Sequence, residues 1–105
     1  MVKRIMIFKL KKDIDPDKFW EFWNNTHGQT FKKFPPLKKY VINRVTKVVK
    51  GEPRFWGVVE VWYENEEIYE RARENSPIIK QVSSDGFDEQ IEDSFTAWVE
   101  ESVIV

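Results

Sequence analysis

Cysteine is absent from the 105-residue chain and histidine occurs once, which excludes several kinds of chemistry. Without cysteine the protein has no disulfide, no thiolate nucleophile and no thiolate ligand. A single imidazole cannot complete a zinc site of the Cys/His type. Any proton transfer near neutral pH that uses histidine must therefore use His27.

The sequence also lacks an excess of one charge and lacks long apolar runs. Its formal net charge is −1 and its pI is about 5.9, so it has no basic balance with which to neutralise phosphates, and we expect no nucleic-acid partner. The amino-terminal stretch MVKRIMIFKLKK is too short and too interrupted by charges for a signal peptide or a membrane span. We therefore expect no membrane partner and a cytoplasmic location.

Aromatic residues, in contrast, are abundant: they make up 15% of the chain and include five tryptophans. The length predicts a single domain over residues 1–105 with one modest core. So much large apolar surface indicates either an oligomer interface or a ligand cavity.

The hydrophobic pattern predicts the order β-α-β-β-α-β. Asp15 and Pro16 are typical of a helix start, and the prolines of FPPL at 34–37 should end that helix near Phe34. Its apolar face should carry Phe19, Phe22, Trp23, Thr26, His27, Thr30 and Phe34. The other predicted elements are strands at Met1–Leu10, Leu37–Val49, Phe55–Tyr63 and Phe95–Val105, a helix capped by Asn65 and running to Asn75, a helical turn at Ile78–Val82, and a short helical piece near Asp88–Ser94.

This order is that of the ferredoxin-like α+β fold, a four-stranded antiparallel sheet with two helices on one face. The strand at Phe55–Tyr63 is apolar on both sides, with Trp56, Val58 and Trp62 expected on one of them, so it should be central. The helices cover only one face of the sheet. A second copy of the chain, packed sheet to sheet, is the simplest cover for the other face, and we predict a homodimer.

The residues FWEFWNNTHGQTFKKFPPLKKYVINRV, followed by FWGVVEVWYENEEIYERA, resemble the EthD-type branch of the dimeric α/β-barrel superfamily. The resemblance implies a dimer with a pocket between sheet and helices in each subunit. It also implies a hydrophobic, often phenolic or lactone, substrate and a reaction without metal or cofactor. The pocket histidine of the family falls on His27, and the other matched positions are Tyr40, Asn43 and Glu60. The sequence departs from the common pattern at Gly28-Gln29, where relatives often have Ala-Pro, and it has no second histidine.

His27 is the candidate base, with packing on an apolar helix face as the alternative role. Glu60 lies between two valines, so burial should raise its pKa and let it orient His27 or act as acid or base. The alternative for Glu60 is an ion pair with Arg44 or with a lysine of a neighbouring strand. Tyr40 and Asn43 can donate hydrogen bonds to a developing oxyanion, but their spacing places them on opposite faces of a regular strand.

The tryptophans Trp23, Trp56 and Trp62 are candidate walls for a flat ligand, and core or dimer-interface packing is their alternative role. Two functions follow. One is a cofactor-independent monooxygenase, isomerase, cyclase or decarboxylase that begins with proton abstraction by His27, assisted by Tyr40 and Glu60. The other is a non-catalytic dimeric protein that binds a hydrophobic ligand or serves in stress. Haem binding through His27 fits less well, because no further haem-supporting residues are evident.

Overall fold

The computed structural model describes all residues from 1 to 105 and has one antiparallel sheet covered by helices on one face. The strands are β1 (Val2–Leu10), β2 (Leu37–Arg44), β3 (Gly57–Tyr63) and β4 (Ile91–Val99), in the spatial order β2-β3-β1-β4. The helices are α1 (Pro16–Phe22), α2 (Gly28–Phe31), α3 (Glu66–Arg73) and α4 (Pro77–Ser83), with a π-helical turn at Trp23–His27 and a 3₁₀ turn at Asp88–Gln90. The ferredoxin-like order predicted from the sequence is confirmed. None of these helices has the length and apolar character needed to span a membrane.

Two helix starts follow the predicted chemistry. The Asp15 carboxylate accepts hydrogen bonds from the backbone N–H groups of Asp17 and Lys18, and Pro16 occupies the first helical position. Asn65 caps α3 through a hydrogen bond from the backbone N–H of Ile68. These caps fix where each helix leaves the sheet.

Three strands have bounds that differ from the prediction by more than one residue. β2 ends at Arg44, not Val49, because Arg44 pairs with Gly57, the first residue of β3. β3 therefore also begins two residues later than predicted. β4 begins at Ile91 and ends at Val99, instead of covering Phe95–Val105. Its pairing with β1 shifts register near Asp93, whose φ of 50° interrupts the alternation that marks a strand in sequence.

The helices cover one face of the sheet and leave the other face open. Arg4, Met6 and Phe8 of β1 pair with Val61, Val59 and Gly57 of β3 on the face under the helices. The intervening residues, such as Ile5 and Ile7, point to the other face, which we call the outer face. It also carries Lys3, Lys39, Val41, Asn43, Val58, Glu60, Trp62, Phe95, Ala97 and Val99.

The core under the helices consists of two aromatic clusters. The first contains Phe8, Phe19, Trp23 and Phe87, and the second contains Phe34, Val61, Tyr63 and Tyr69. Phe8 is fully buried, and its ring lies where a Cβ on Gly57 would sit, 2.3 Å from that position. Only glycine at 57 therefore lets the Phe8 ring lie flat on β3.

Candidate functional site

A cavity of about 300 Å³ lies between the sheet and the helices, bounded by parts of both aromatic clusters. Twelve of its eighteen lining residues are hydrophobic, and its volume is at the lower end of the range for small-molecule sites. The other six are Arg4, His27, Arg73, Ser83, Asp88 and Thr96, and three of the hydrophobic ones, Tyr40, Tyr63 and Tyr69, carry a hydroxyl group. A few polar groups in a mostly apolar cavity are typical of a site that orients a hydrophobic ligand.

The π-helical turn positions His27 at the cavity. Its wide geometry is closed by a hydrogen bond from the backbone N–H of Gly28 to the carbonyl of Trp23, five residues earlier. A Cβ on Gly28 would lie 2.6 Å from that same carbonyl oxygen, so the turn requires glycine there. The side chain of Gln29 donates to the carbonyl of Asn24 at 3.0 Å, which gives a carbonyl within the turn a partner. The departure at Gly28-Gln29 is thus part of the local structure that holds His27.

The imidazole of His27 is held on two sides by the loop before β4. Its Nδ1 lies 2.7 Å from Oδ2 of Asp85, and its ring stacks on Phe87 with centroids 4.0 Å apart and planes 15° apart. The other carboxylate oxygen of Asp85 accepts a hydrogen bond from the backbone N–H of Phe87 at 3.0 Å. Gly86 between them has a φ of 99°, a left-handed conformation that favours glycine. The Asp-Gly-Phe turn therefore supplies both the hydrogen-bond partner and the stacking surface of His27.

The second ring nitrogen of His27 is free for other use. A carboxylate beside Nδ1 fixes the tautomer with the proton on Nδ1 when the ring is neutral. Nε2 has no hydrogen-bond partner in the protein, and since no buried side-chain nitrogen or oxygen lacks a partner, Nε2 is accessible. With its lone pair unprotonated, Nε2 can accept a proton from a ligand in the cavity.

Tyr40 of β2 reaches the same cavity and is held by Trp23. The indole Nε1–H of Trp23 donates to the Tyr40 hydroxyl oxygen at 3.2 Å. Burial raises the pKa of Tyr40 to about 12, although the hydrogen bond from Trp23 opposes the shift. Because an indole N–H only donates, the proton of the Tyr40 hydroxyl is left for another acceptor. Tyr40 is thus a neutral donor facing the ligand space.

Glu60, Asn43 and Trp62 lie on the outer face, away from His27 and Tyr40. Glu60 forms an ion pair with Lys3 at 2.6 Å and accepts a hydrogen bond from Asn43 at 3.0 Å. The hydrogen bond from Lys3 holds the pKa of Glu60 below its usual value, so the expected upward shift is wrong. The structure instead has the alternative predicted for Glu60, an ion pair with a lysine of a neighbouring strand. The indole of Trp62 lies 4.7 Å below the Lys3 ammonium and donates to Glu101.

Trp56 does not share a face with Trp62, contrary to prediction. It precedes β3 and packs under the helices against Phe8 and Phe19, with ring centroids 6.1 and 5.5 Å apart respectively. It is not among the residues that line the cavity. Of the predicted site residues, the structure brings together His27, Tyr40 and Trp23 at the cavity and places the other four elsewhere.

Sequence reasoning missed the loop partners of His27. Asp85 is 58 positions from His27, and nothing in the polar stretch SSDGFDEQ distinguishes its carboxylate from Asp88 or Glu89. Phe87 carried a signal, because one aromatic residue in an otherwise polar loop indicates that the loop is anchored in the core. Arg4 was also missed. It is a charged residue in an apolar strand, and the hydrophobic pattern did not indicate which face of the sheet its side chain is on. The structure has no cluster of three or more His, Cys, Asp or Glu side chains suited to a metal ion.

Comparison with known proteins gives one family match and several solved structures of similar fold. The model of the EthD domain family matches residues 11–92. An EthD family protein from Bacillus halodurans is 21% identical and has a TM-score of 0.74, and the match covers 97% of this chain and 100% of that one. No curated protein sequence matches significantly.

Two further solved structures share the fold at lower identity. A dimeric protein of unknown function with a ferredoxin-like fold from Bacteroides fragilis is 14% identical, with a TM-score of 0.70 and 95% coverage of both chains. A cofactor-independent oxygenase from Streptomyces nogalater is 12% identical, with a TM-score of 0.68, covering 98% of this chain and 95% of that one. At these identities the likeness concerns the fold alone.

Proposed function

The chain belongs to the EthD family, and from that premise we propose that it is a cofactor-independent enzyme that removes a proton from a small hydrophobic substrate. The observation that carries the proposal is the His27–Asp85 pair at the edge of an apolar cavity, with Nε2 of His27 left free. The substrate class is phenolic, polyketide-like or lactone. The cofactor-independent oxygenase among the structures of similar fold supports this class of chemistry.

His27 acts as the base in this proposal. Nε2 takes a proton from a phenolic O–H or an activated C–H, and the Asp85 carboxylate stabilises the imidazolium that forms. General base catalysis of this kind contributes about 10²- to 10⁴-fold to a rate. The loop that carries Asp85 and Phe87 keeps the ring from turning away from the ligand.

Tyr40 stabilises the charge that the substrate acquires. Loss of a proton leaves a phenolate or enolate, whose oxygen needs a donor that is already in place. The Tyr40 hydroxyl is such a donor, because its raised pKa keeps it protonated and Trp23 occupies only its oxygen. The resulting anion can then isomerise, cyclise, lose carbon dioxide or react with dioxygen.

Deuterium exchange tests this proposal without knowledge of the product. Phenols and lactones with acidic C–H groups are incubated with the protein in D₂O, and loss of the C–H signal is followed by proton NMR. We expect His27→Gln to slow exchange by about 10²-fold or more, with little change in melting temperature. Thr26→Ala, a neighbouring exposed position in the same turn, is the matched control and should exchange at the wild-type rate. Equal rates for wild type and His27→Gln would refute the role of His27.

The apolar lining of the cavity favours a second function, a non-catalytic protein that binds a hydrophobic ligand. Trp23 lines the cavity, so a ligand there should quench tryptophan fluorescence in a saturable way. Saturable quenching without exchange or turnover for any substrate of the panel would favour this function over catalysis.

A homodimer formed through the outer face is the proposed assembly. The face is apolar at Ile5, Ile7, Val41 and Val58, and the Phe95 side chain is 55% exposed, which is unusual for a large aromatic residue in a strand. The dimeric protein from Bacteroides fragilis, with a similar fold, supports a dimer here. Sheet-to-sheet packing would remove this apolar area from water. Sedimentation equilibrium gives the mass that decides between monomer and dimer.

A further inference from the structure

Arg4 places a positive charge on the helix-covered face of a central strand, where an apolar residue would be expected. β1 lies between β3 and β4, and Arg4 pairs there with Val61 and Trp98. The residue is half-buried and lines the cavity. A charge withdrawn from water is costly unless it is paired, so the presence of Arg4 requires an explanation.

Within the protein, the Arg4 guanidinium is contacted by aromatic rings and by no acidic group. It lies 4.8 Å from the ring centroid of Tyr69 and 5.2 Å from that of Trp98. It forms no ion pair, whereas Lys3, Lys9, Arg44, Arg71 and Arg73 each have an acidic partner. Its side chain also makes no hydrogen bond to protein, and since no buried polar atom is unpartnered, its N–H donors are accessible. The two rings hold the guanidinium while the donors at its edge remain free.

The charged groups around the cavity leave an excess of positive charge at this end. Arg73 also lines the cavity, 5.8 Å from the Tyr69 ring, and its nearest acidic partner, Glu70, is 4.0 Å away. Asp88, the acidic side chain in the lining, pairs with neither arginine. The carboxylate of Asp85 is already engaged by His27. Nothing in the protein therefore neutralises Arg4.

The geometry points to an anionic ligand: a hydrophobic, aromatic molecule that carries a carboxylate, bound to the guanidinium of Arg4. Guanidinium presents paired N–H donors that match the two oxygens of a carboxylate, and such charge-assisted pairs are strong where water is scarce. The apolar body of the ligand would fill the cavity between Arg4 and His27, both of which line it. This inference rests on the proposed function, because it assigns a substrate class to the same cavity.

Two matched probes distinguish the contribution of the carboxylate to binding from that of the apolar ring system. 2-Naphthoate and 2-naphthamide have the same ring system and nearly the same shape, but only the first carries a charge at neutral pH. Binding is measured by calorimetry and by quenching of tryptophan fluorescence. We expect wild-type protein to bind naphthoate about tenfold or more tightly than naphthamide. Arg4→Met should remove that preference, and Arg4→Lys should keep part of it, because lysine retains the charge without the paired donors.

Arg71→Met is the control, since Arg71 lies on the same helix as Arg73, is exposed and pairs with Glu67, but does not line the cavity. It should keep the wild-type preference. Equal affinity of wild-type protein for the two probes would overturn the anion assignment and leave the proposed function standing. A preference that survives Arg4→Met would also overturn it. Failure of both probes to bind would count against the cavity as an aromatic site, and so against both the anion assignment and the proposed function. If Arg4→Met does not fold, equal wild-type affinities still overturn the assignment, and the partial loss of preference in Arg4→Lys becomes the test that separates Arg4 from Arg73.

Discussion

His27 Nδ1 and Asp85 Oδ2 lie 2.7 Å apart, although 58 positions separate the two residues in the chain. One belongs to the π-helical turn of the first helical segment and the other to the loop before β4. Both side chains are largely shielded, at 13% and 14% exposed. A contact so distant in sequence and so enclosed directs Nε2 of the imidazole to a constant position, which is what a general base requires.

Asp85→Asn should reduce turnover while leaving the fold intact. Asparagine can keep the hydrogen bond from the backbone of Phe87, but it no longer fixes the proton on Nδ1 of His27. We expect a loss of about 10²- to 10⁴-fold in the rate of proton abstraction. Nitrogen-15 NMR of the imidazole should show the Nδ1–H tautomer in wild type and a mixture in the variant. An unchanged tautomer together with an unchanged rate would mean that Asp85 only anchors the loop.

Tyr40→Phe should alter the alkaline limit of stability. The folded state raises the pKa of Tyr40 from 10.0 to about 12, so it favours the protonated phenol. That contribution to the free energy of unfolding is about 3 kcal/mol; it is fully present below pH 10 and is lost as the pH rises towards 12. Urea unfolding at pH 8 to 12 should therefore show wild type losing more stability than the variant. Parallel curves would contradict the raised pKa. At neutral pH the variant should be less stable by about 1–2 kcal/mol, since Trp23 loses its acceptor.

Glu60→Gln distinguishes an ion pair from a catalytic acid. The hydrogen bond from Lys3 lowers the pKa of Glu60, so its contribution to stability is present above the ordinary carboxyl pKa and is lost as the pH falls through the lowered value. We expect wild type to lose about 1 kcal/mol more than the variant on acidification, the upper end for ion pairs near the protein surface, because this pair is half-buried. Acid unfolding followed by circular dichroism measures this difference. Turnover should stay near wild type; a drop of more than about tenfold would return Glu60 to the catalytic candidates.

Phe95→Glu should prevent assembly through the outer face. Phe95 is 55% exposed in the single chain, so the monomer loses little when it is replaced. In a sheet-to-sheet dimer, two-fold symmetry would place the new charge in the interface twice, at a cost of several kcal/mol. Sedimentation equilibrium should give the monomer mass. Lys80→Glu, exposed on α4, is the control and should leave the mass of wild type unchanged. A dimer that persists in Phe95→Glu would place the interface elsewhere.

The fold could be predicted because each element carries its own local signal. Asp15 and Pro16 mark the first helix, and the double apolar character of β3 marks a strand covered on both sides. Alternation also places Glu60 on the same side as Trp62, but it cannot say which side the helices cover. Which face the helices cover depends on packing between elements distant in sequence. Because they cover the face opposite Glu60, Glu60 does not belong to the candidate site.

The site was predictable only on one side of the cavity. His27 can be identified because it is the sole histidine, and Tyr40 because it matches a position of the EthD-type family. Asp85 could not be found, because a loop carboxylate gains its role only when the chain brings it beside His27. Trp56 was misplaced for a simpler reason, since alternation was extended past Gly57, where regular pairing ends.

The wide turn at Trp23–His27 also affects how relatives can be compared position by position. A π-helical turn holds one more residue than an α-helical turn of similar rise, so it acts as a single-residue insertion within a continuous helix. In a relative whose first helix is regular, the residue equivalent to His27 in space would be one position closer to the start of the helix than His27 is here. Deleting one residue from the turn here would rotate everything before it by about 100° relative to His27. The length of this helix, as much as the identity of its histidine, therefore decides whether a family member can present a base to the cavity.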